Sequence, residues 1–327
     1  MKFSNVLARV VTLGLLLGSC HAFAAEQPYP TRPVRYILPY PPGGSTDPMA
    51  RFVCGKLTDL WGKSVIVDNR PGGNTVIGTE ALVRSTPDGY TIGWAGASLF
   101  STPSLLPSLP YDALKDLVGV ATVAKQRVVL VLHPSVPANN LKEVIALAKA
   151  KPGELNFASS GHGTNTHLSG ELFKLVTGVN ITHIPYKGSG PATQDLLGGR
   201  VQMSFQIPIT VIPMINTGKL KAIAVTGDSR LAALSQVPTF SEAGLTGYGL
   251  TGVTGIVAPT GTPRAIREKI AKDVAGILSA PGIEEFLAKQ GAEPFITTSP
   301  DAMGAVVKEE IARYTKIIKA AGIKAEL

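Results

Sequence analysis

The sequence predicts an α/β protein of two lobes, and three observations carry that prediction. A chain of 327 residues with 44% hydrophobic and only 17% charged residues can bury a large core, and it exceeds the usual size of a single-core domain. Its 35 glycines and 25 prolines, with aromatics at 6%, describe many tight turns between short elements rather than a helical bundle. Short apolar runs of strand character alternate with helical patterns, so the sheet is expected to be largely parallel.

The first 25 residues read as a secretory signal peptide outside the fold. Lys2 and Arg9 precede an uncharged apolar stretch, 10–18, followed by the small-residue exit Ala22-Phe23-Ala24-Ala25. That stretch is too short for a membrane anchor, and no later segment offers the roughly 20 apolar residues of a membrane helix. Cleavage near Ala24 or Ala25 predicts a periplasmic product. A competing lipoprotein box, Leu17-Gly18-Ser19-Cys20, is less favoured because glycine two before the cysteine is not the commonest choice. Loss of Lys2 and Arg9 takes the formal charge from +8 to +6. Only Cys54 then remains, which excludes an internal disulfide; its helical spacing with Met49, Phe52 and Leu57 marks a buried apolar thiol.

The fold proper opens on an apolar run, 34–38, that empties into Pro39-Tyr40-Pro41-Pro42-Gly43-Gly44-Ser45-Thr46-Asp47. A helix is predicted over 48–60, with Asp47 as N-cap and Pro48 at the first helical position. Glycines before a helix N-terminus leave backbone N–H groups free to face one small volume, and the helix dipole favours an anion there. A strand over 64–67, the turn Asp68-Asn69-Arg70-Pro71-Gly72-Gly73-Asn74-Thr75, a helix over 77–85 and a strand over 90–95 follow, then a loop through Ser98. The crossing to the second lobe is placed near Gln126, giving a first lobe of 26–125 plus 251–327 and a second of 126–250.

After the β-branched run 128–132 and a helix over 141–150, the second lobe repeats the opening device. A strand over 155–159 passes through Ser160-Gly161-His162-Gly163-Thr164 into a helix over 165–177, whose Leu168, Leu172, Leu175 and Val176 form one face before Gly178. Then come His183-Ile184-Pro185-Tyr186-Lys187-Gly188, a helix over 191–197 carrying Asp195, and strands over 201–205 and 222–226. Three C-terminal helices, 263–278, 282–289 and 300–320, should return to the first lobe, the last capped by Ser299.

Catalytic arrangements are scarce. The chain has no Gly-x-Ser-x-Gly elbow, His-Glu-x-x-His, Cys-x-x-Cys or phosphate loop, and Gly161-His162-Gly163 lacks the third glycine of a dinucleotide fingerprint, so no cofactor is expected. His133, His162, His167 and His183 fit no common zinc spacing, and no metal is expected. Scattered lysines and arginines without interleaved aromatics argue against nucleic acid. What remains is a set of glycine-and-hydroxyl turns at strand ends, where open α/β sheets bind ligands. The candidate ligand-binding residues are Gly43, Gly44, Asp47, Gly72, Asn74, Ser98, Ser159, Gly163 and Thr164; Asp195, taken alone, reads as a solvated or capping carboxylate and joins the candidates through the family resemblance below, and none is assigned a catalytic role. Hydrogen-bond donors without a nucleophile–base pair recognise oxygen-rich anions better than they transform them. A hydrolase using Ser160 or Ser189 with a histidine is the weaker reading.

The order of motifs resembles the Bug extracytoplasmic solute receptors of tripartite tricarboxylate transporters. The resemblance rests on Tyr29-Pro-Thr-Arg-Pro33, Pro39-Tyr-Pro-Pro-Gly-Gly-Ser-Thr-Asp47, Asn69-Arg-Pro-Gly72, Pro87-Asp-Gly-Tyr90, Ala158-Ser-Ser-Gly-His-Gly163, Gly170-Glu-Leu-Phe173, Pro185-Tyr-Lys-Gly188 and Ala258-Pro-Thr-Gly-Thr-Pro263. It implies a two-lobed periplasmic binding protein fold of type II, a Venus flytrap with the ligand cleft between the lobes. It further implies a receptor that binds a small carboxylate, whether a di- or tricarboxylate, an acidic amino acid or an aromatic acid, and hands it to membrane subunits; a monomer is expected, and a domain that only signals to a membrane sensor kinase is the rival reading. Carried over, the anion pocket would use Gly43, Gly44 and Asp47 with Ser159, Gly163 and Thr164, while Asp195 would support a water network. Asn74, Gln206, Gly249 and Val253 depart from the family pattern, which leaves the carboxylate turns intact and the rest of the ligand open.

Overall fold

A computed structural model describes residues 29–106 and 108–323. The expected signal peptide, its cleavage site and the Cys20 box lie outside the described residues. Among these, no helix is long and apolar enough to cross a membrane.

Eleven strands among the described residues form two sheets. Strands β1 (Val34–Leu38), β2 (Val65–Asn69), β3 (Thr91–Ala95), β4 (Leu117–Gln126), β10 (Gly252–Pro259) and β11 (Ala292–Pro294) make the first, in the order β11-β4-β10-β3-β1-β2. The second holds β5 (Val129–Leu132), β6 (Asn156–Ser159), β7 (Thr182–Pro185), β8 (Met203–Gln206) and β9 (Lys221–Val225), in the order β7-β6-β8-β5-β9. Setting β11 aside, each sheet reads second, first, third, crossing, fourth strand, the two-lobed pattern of periplasmic binding proteins.

The sheets are mixed rather than largely parallel. β1 pairs parallel with β2 and β3, and β6 with β7 and β8, whereas every contact of β4, β5, β10 and β11 is antiparallel. The antiparallel half arises where the chain changes sheets: β4 leads towards the second sheet, β10 leads back, and the two pair from Leu117↔Pro259 to Gln126↔Gly252.

Helices follow from local sequence. Helix α1 (Asp47–Trp61) turns Met49, Ala50, Val53, Cys54 and Leu57 inward and stops at Gly62 in the left-handed region. Thr46, not Asp47, occupies its N-cap position, because Asp47 already has helical backbone and its carboxylate is used elsewhere. Burial pushes the Cys54 thiol up to about 12, so it is an inert core group. Helices α2 (Val76–Val83), α3 (Ala97–Leu105) and α4 (Leu141–Ala150) precede α5 (Asn165–Thr177), in which nearly every residue to Glu171 is buried. Leu168 packs in the first core and Phe173 in the second, while Leu175 and Val176, expected on the buried face, are 47% and 43% exposed. After α6 (Ser189–Leu197) and the short α7 (Ile212–Asn216), helices α8 (Arg264–Leu278), α9 (Ile283–Lys289) and α10 (Pro300–Ala320) complete the chain. Ser299 caps α10 by accepting the Ala302 N–H, and Met303, Val307, Tyr314 and Ile318 fasten that helix to the first core. Each such side chain contributes about 1.5–3 kcal/mol on burial.

Between β4 and β5 lies Arg127, only 5% exposed. Its guanidinium donates to the carbonyl of Ser229, to Ser229 Oγ at 3.1 Å and to Glu293 at 2.8 Å, so it ties the crossing segment to both sheets.

Candidate functional site

Four helices begin at the carboxyl ends of parallel strands and point their N-termini into one cavity. From the first-sheet side it is lined by Tyr40, Pro41, Gly44, Ser45 and Thr46 ahead of α1, and by Trp94, Gly96 and Ala97 at the start of α3. From the second come Ser160, Thr164, Asn165 and Thr166 around the start of α5, and Gly188 and Ser189 at the start of α6. Gln126 and Thr254, at one end of the β4–β10 ladder, and Ile207 close it. No side chain caps α1, α3 or α6. First-turn N–H groups have no intrahelical partner, so the cavity collects oriented donors and the positive ends of four dipoles. No charged side chain lines it. Such a lining holds an anion without a counter-ion.

The two glycine turns are built by the same device. In the first, Asp47 is 5% exposed and its carboxylate accepts the Gly43 N–H at 3.1 Å, Arg51 Nε at 2.8 Å and Asn69 Nδ2 at 3.1 Å. Burial alone would raise its pKa, but those three hydrogen bonds and the Arg51 charge outweigh it and hold the carboxyl below its usual range. In the second turn, His167 Nδ1 accepts the Gly163 N–H at 3.0 Å. Desolvation first, then the neighbouring His183, His162 and Lys174, press His167 down to about 2, and the ring stays neutral.

These bonds correct several sequence expectations. Gly43 and Gly163 do not offer their N–H groups to a ligand, since Asp47 and His167 consume them. Asp47 shapes its turn from behind. Gly163 instead faces α3: its carbonyl accepts from Ser101 Oγ at 2.8 Å, across the cleft. Ser159 is fully buried and hydrogen-bonded to His183 Nε2 at 2.7 Å. Ser98, 1% exposed, accepts the Tyr40 hydroxyl at 2.9 Å and so holds the ring that lines the cavity. Gly72 and Asn74 lie on the turn before α2 and do not line the cavity; Asn74 approaches the Gly163 turn from the first-sheet side. Asp195 binds the Tyr186 hydroxyl at 2.8 Å and Arg200 at 2.6 Å, away from the cavity lining. Of the ten candidates, Gly44 and Thr164 line the cavity. Val253 packs in the first core, because successive residues of β10 face opposite ways and Thr254 takes the cavity side.

Sequence reasoning missed Asn165, Trp94, Gln126 and Thr254, and named Ser189 only as a nucleophile in the weaker hydrolase reading. Ser189 carried a legible signal, since Pro185-Tyr-Lys-Gly188 is a third strand–glycine–helix passage. The other sheet residues converge through pairings distant in sequence and have no local signature. Also unforeseen was the clustering of His162, His167 and His183, whose nitrogens lie within 4.8 Å of one another. Metal ligation by His167 is opposed by its tautomer: a ring nitrogen that accepts the Gly163 N–H has spent its lone pair, and the other then carries the proton. His167 and His183 stack at 4.1 Å with His162 edge-on, a packed buttress under the second turn.

The hydrolase reading finds no accessible nucleophile–base pair among the described residues. Ser160 Oγ bonds Thr166 Oγ1 at 2.8 Å, and Ser159, which does bond His183, has no exposed surface. A second cavity, lined by Lys125, Asp228, Glu293, Glu309, Glu310 and Arg313 among others, has more carboxylates than cations and would repel an acid.

Residues 49–323 match the tripartite tricarboxylate transporter family receptor profile. BugT of Bordetella pertussis is 38% identical over 326 residues, covering 99% of each chain. Among solved structures, an R. palustris protein with adipate superposes with a TM-score of 0.86 at 35% identity, covering 90% of this chain and 99% of that one. MatC of Rhodopseudomonas palustris with bound malate does so with a TM-score of 0.81 at 28% identity, covering 89% and 100%. These are solute receptors and not enzymes, and this chain belongs to the same family, the receptors of tripartite tricarboxylate transporters.

Proposed function

We propose that this receptor works in the periplasm, closes on a small carboxylate in the cleft between its sheets, and delivers it to the membrane subunits of a tripartite transporter. The observation that carries the reading is the convergence of four helix N-termini on a cavity with no charged side chain. Adipate and malate in the two relatives are small carboxylates, in keeping with it. Residues 26–125 plus 251–327 form one jaw and 126–250 the other, hinged where β4 and β10 cross. Gly44 and Thr164 belong to the carboxylate-holding lining. Charge-assisted hydrogen bonds contribute about 1.5–3 kcal/mol each, so three or four approach the roughly 8 kcal/mol of a micromolar complex.

A thermal-shift panel of mono-, di- and tricarboxylates, each beside its amide or methyl ester, tests the reading. The acid should raise the melting temperature and its neutral analogue should not; at a hundredfold excess over Kd the gain is about 2.7 kcal/mol. Equal stabilisation by acid and ester would refute the anion pocket.

A further inference from the structure

Two side chains in the cleft are buried without partners. Asn165, 6% exposed at the start of α5, has neither its amide oxygen nor its amide nitrogen hydrogen-bonded, and Ser189, 2% exposed at the start of α6, has no partner for Oγ. Of the buried side-chain atoms left without a partner among the described residues, only these line the cavity where the four helix N-termini meet. A buried polar group left unpaired costs about 1–3 kcal/mol, so such groups in a binding cleft mark where ligand atoms belong. The Asn165 amide is also held in place. It packs against Gly252 at the start of β10, where a Cβ would come within 2.8 Å of Nδ2.

The chemistry of the missing partner follows from the two amide atoms. Nδ2 donates and Oδ1 only accepts, so a ligand group that satisfies both must accept and donate together. A second carboxylate accepts only, so it would leave Oδ1 orphaned. An alkyl chain satisfies neither atom. A hydroxyl satisfies both, and Ser189 Oγ, also without a partner in the same lining, can donate to or accept from the ligand's polar groups. We infer that Asn165 and Ser189 are specificity-determining residues that read a ligand hydroxyl, so that the preferred solute is a hydroxylated carboxylate rather than an unsubstituted acid. The inference rests on the carboxylate-receptor reading and narrows it.

Matched acids test it by calorimetry: lactate against propionate, malate against succinate, and 2-hydroxyglutarate against glutarate. In at least one pair the hydroxylated acid should bind about tenfold tighter or more, the discrimination expected when a site's buried polar groups would otherwise stay unpaired. Asn165→Leu, close to isosteric and lacking both amide atoms, should bring that preference, read as the ratio of the two dissociation constants in the same variant, below about threefold. Ser189→Ala should do the same more weakly. A structural role for either residue would instead weaken both members of a pair alike, which overturns the inference. So does a wild-type protein that binds hydroxylated and plain acids equally, although the carboxylate reading then survives. If none of the acids binds, the carboxylate reading fails and this inference falls with it.

Discussion

Replacing Gly163 by alanine separates closure of the cleft from stability of the fold. The residue has φ +69°, and an added Cβ would lie 2.6 Å from Leu105 Cδ1 and 2.6 Å from Ser101 Oγ, both on α3 of the proposed opposing jaw. Two costs arise, and they belong to different states. Left-handed backbone strain of about 1 kcal/mol is present whether the cleft is open or shut. On the proposed hinge motion, the clash is present only when α3 and the Gly163 turn meet. It displaces Ser101 from its 2.8 Å bond to the Gly163 carbonyl, at about 1 kcal/mol, and adds an overpacking term of about 1–3 kcal/mol. The closed state therefore loses about 2–4 kcal/mol relative to the open one, which weakens affinity roughly 30- to 700-fold at 1.4 kcal/mol per decade. Calorimetry with the tightest acid of the panel reads the affinity, and urea unfolding of the ligand-free protein reads the strain alone. Ser101→Ala, which removes the bond without the clash, should weaken affinity only about fivefold. If Gly163→Ala binds within threefold of wild type, or loses all the expected free energy in the ligand-free protein, this contact does not gate closure.

Two further outcomes follow from buried charge. His167 and His183 are held down to about 2 and about 3, chiefly by burial, against about 6.5 unfolded, so below pH 6.5 the unfolded chain takes up protons that the fold refuses. Stability is then full above pH 6.5 and falls with acid; His167 alone removes about 2 kcal/mol between pH 6.5 and 5, half-buried His183 less, and urea midpoints that stay flat over that window would refute the assignment. At the crossing, Arg127→Met should cost about 2–3 kcal/mol by orphaning the carbonyl of Ser229 and half-exposed Glu293, whereas Glu293→Gln should cost under about 1 kcal/mol because solvent already screens that carboxylate. The opposite order in urea unfolding would show that the ion pair, not the carbonyl contact, holds the crossing.

Much of the fold was legible because it is local. The passages 34–48 and 155–165 announce strand, glycine turn and helix in consecutive residues, and Ser299-Pro300 marks the last helix one residue at a time. The crossing strands were not legible for a physical reason. β10 is buried at every position and β4 at nearly all, so neither shows the period-two alternation of a half-exposed strand, and their glycines and alanines carry little strand propensity. Missing those strands made the sheets look parallel. The site was legible at the level of its turns and opaque at the level of its donors, because a sequence marks where a glycine stands and not which acceptor takes its N–H.

That distinction explains how the cleft can be both preorganised and neutral. Gly43 gives its N–H to Asp47, and Gly163 gives its own to His167, in each case an acceptor four residues on in the first turn of the following helix. Each bond folds the turn back onto its helix and stiffens it. The acceptors sit behind the lining, Asp47 as a carboxylate already balanced by Arg51 and His167 as an uncharged ring, so neither projects a net field towards an incoming acid. The donors left facing the cavity are those a helix cannot satisfy internally, fixed in direction before any ligand arrives. An arginine in their place would have to give up its hydration and its rotamer freedom on every closure. Oriented amides give up less, which lets a receptor grip an anion firmly and still open to release it.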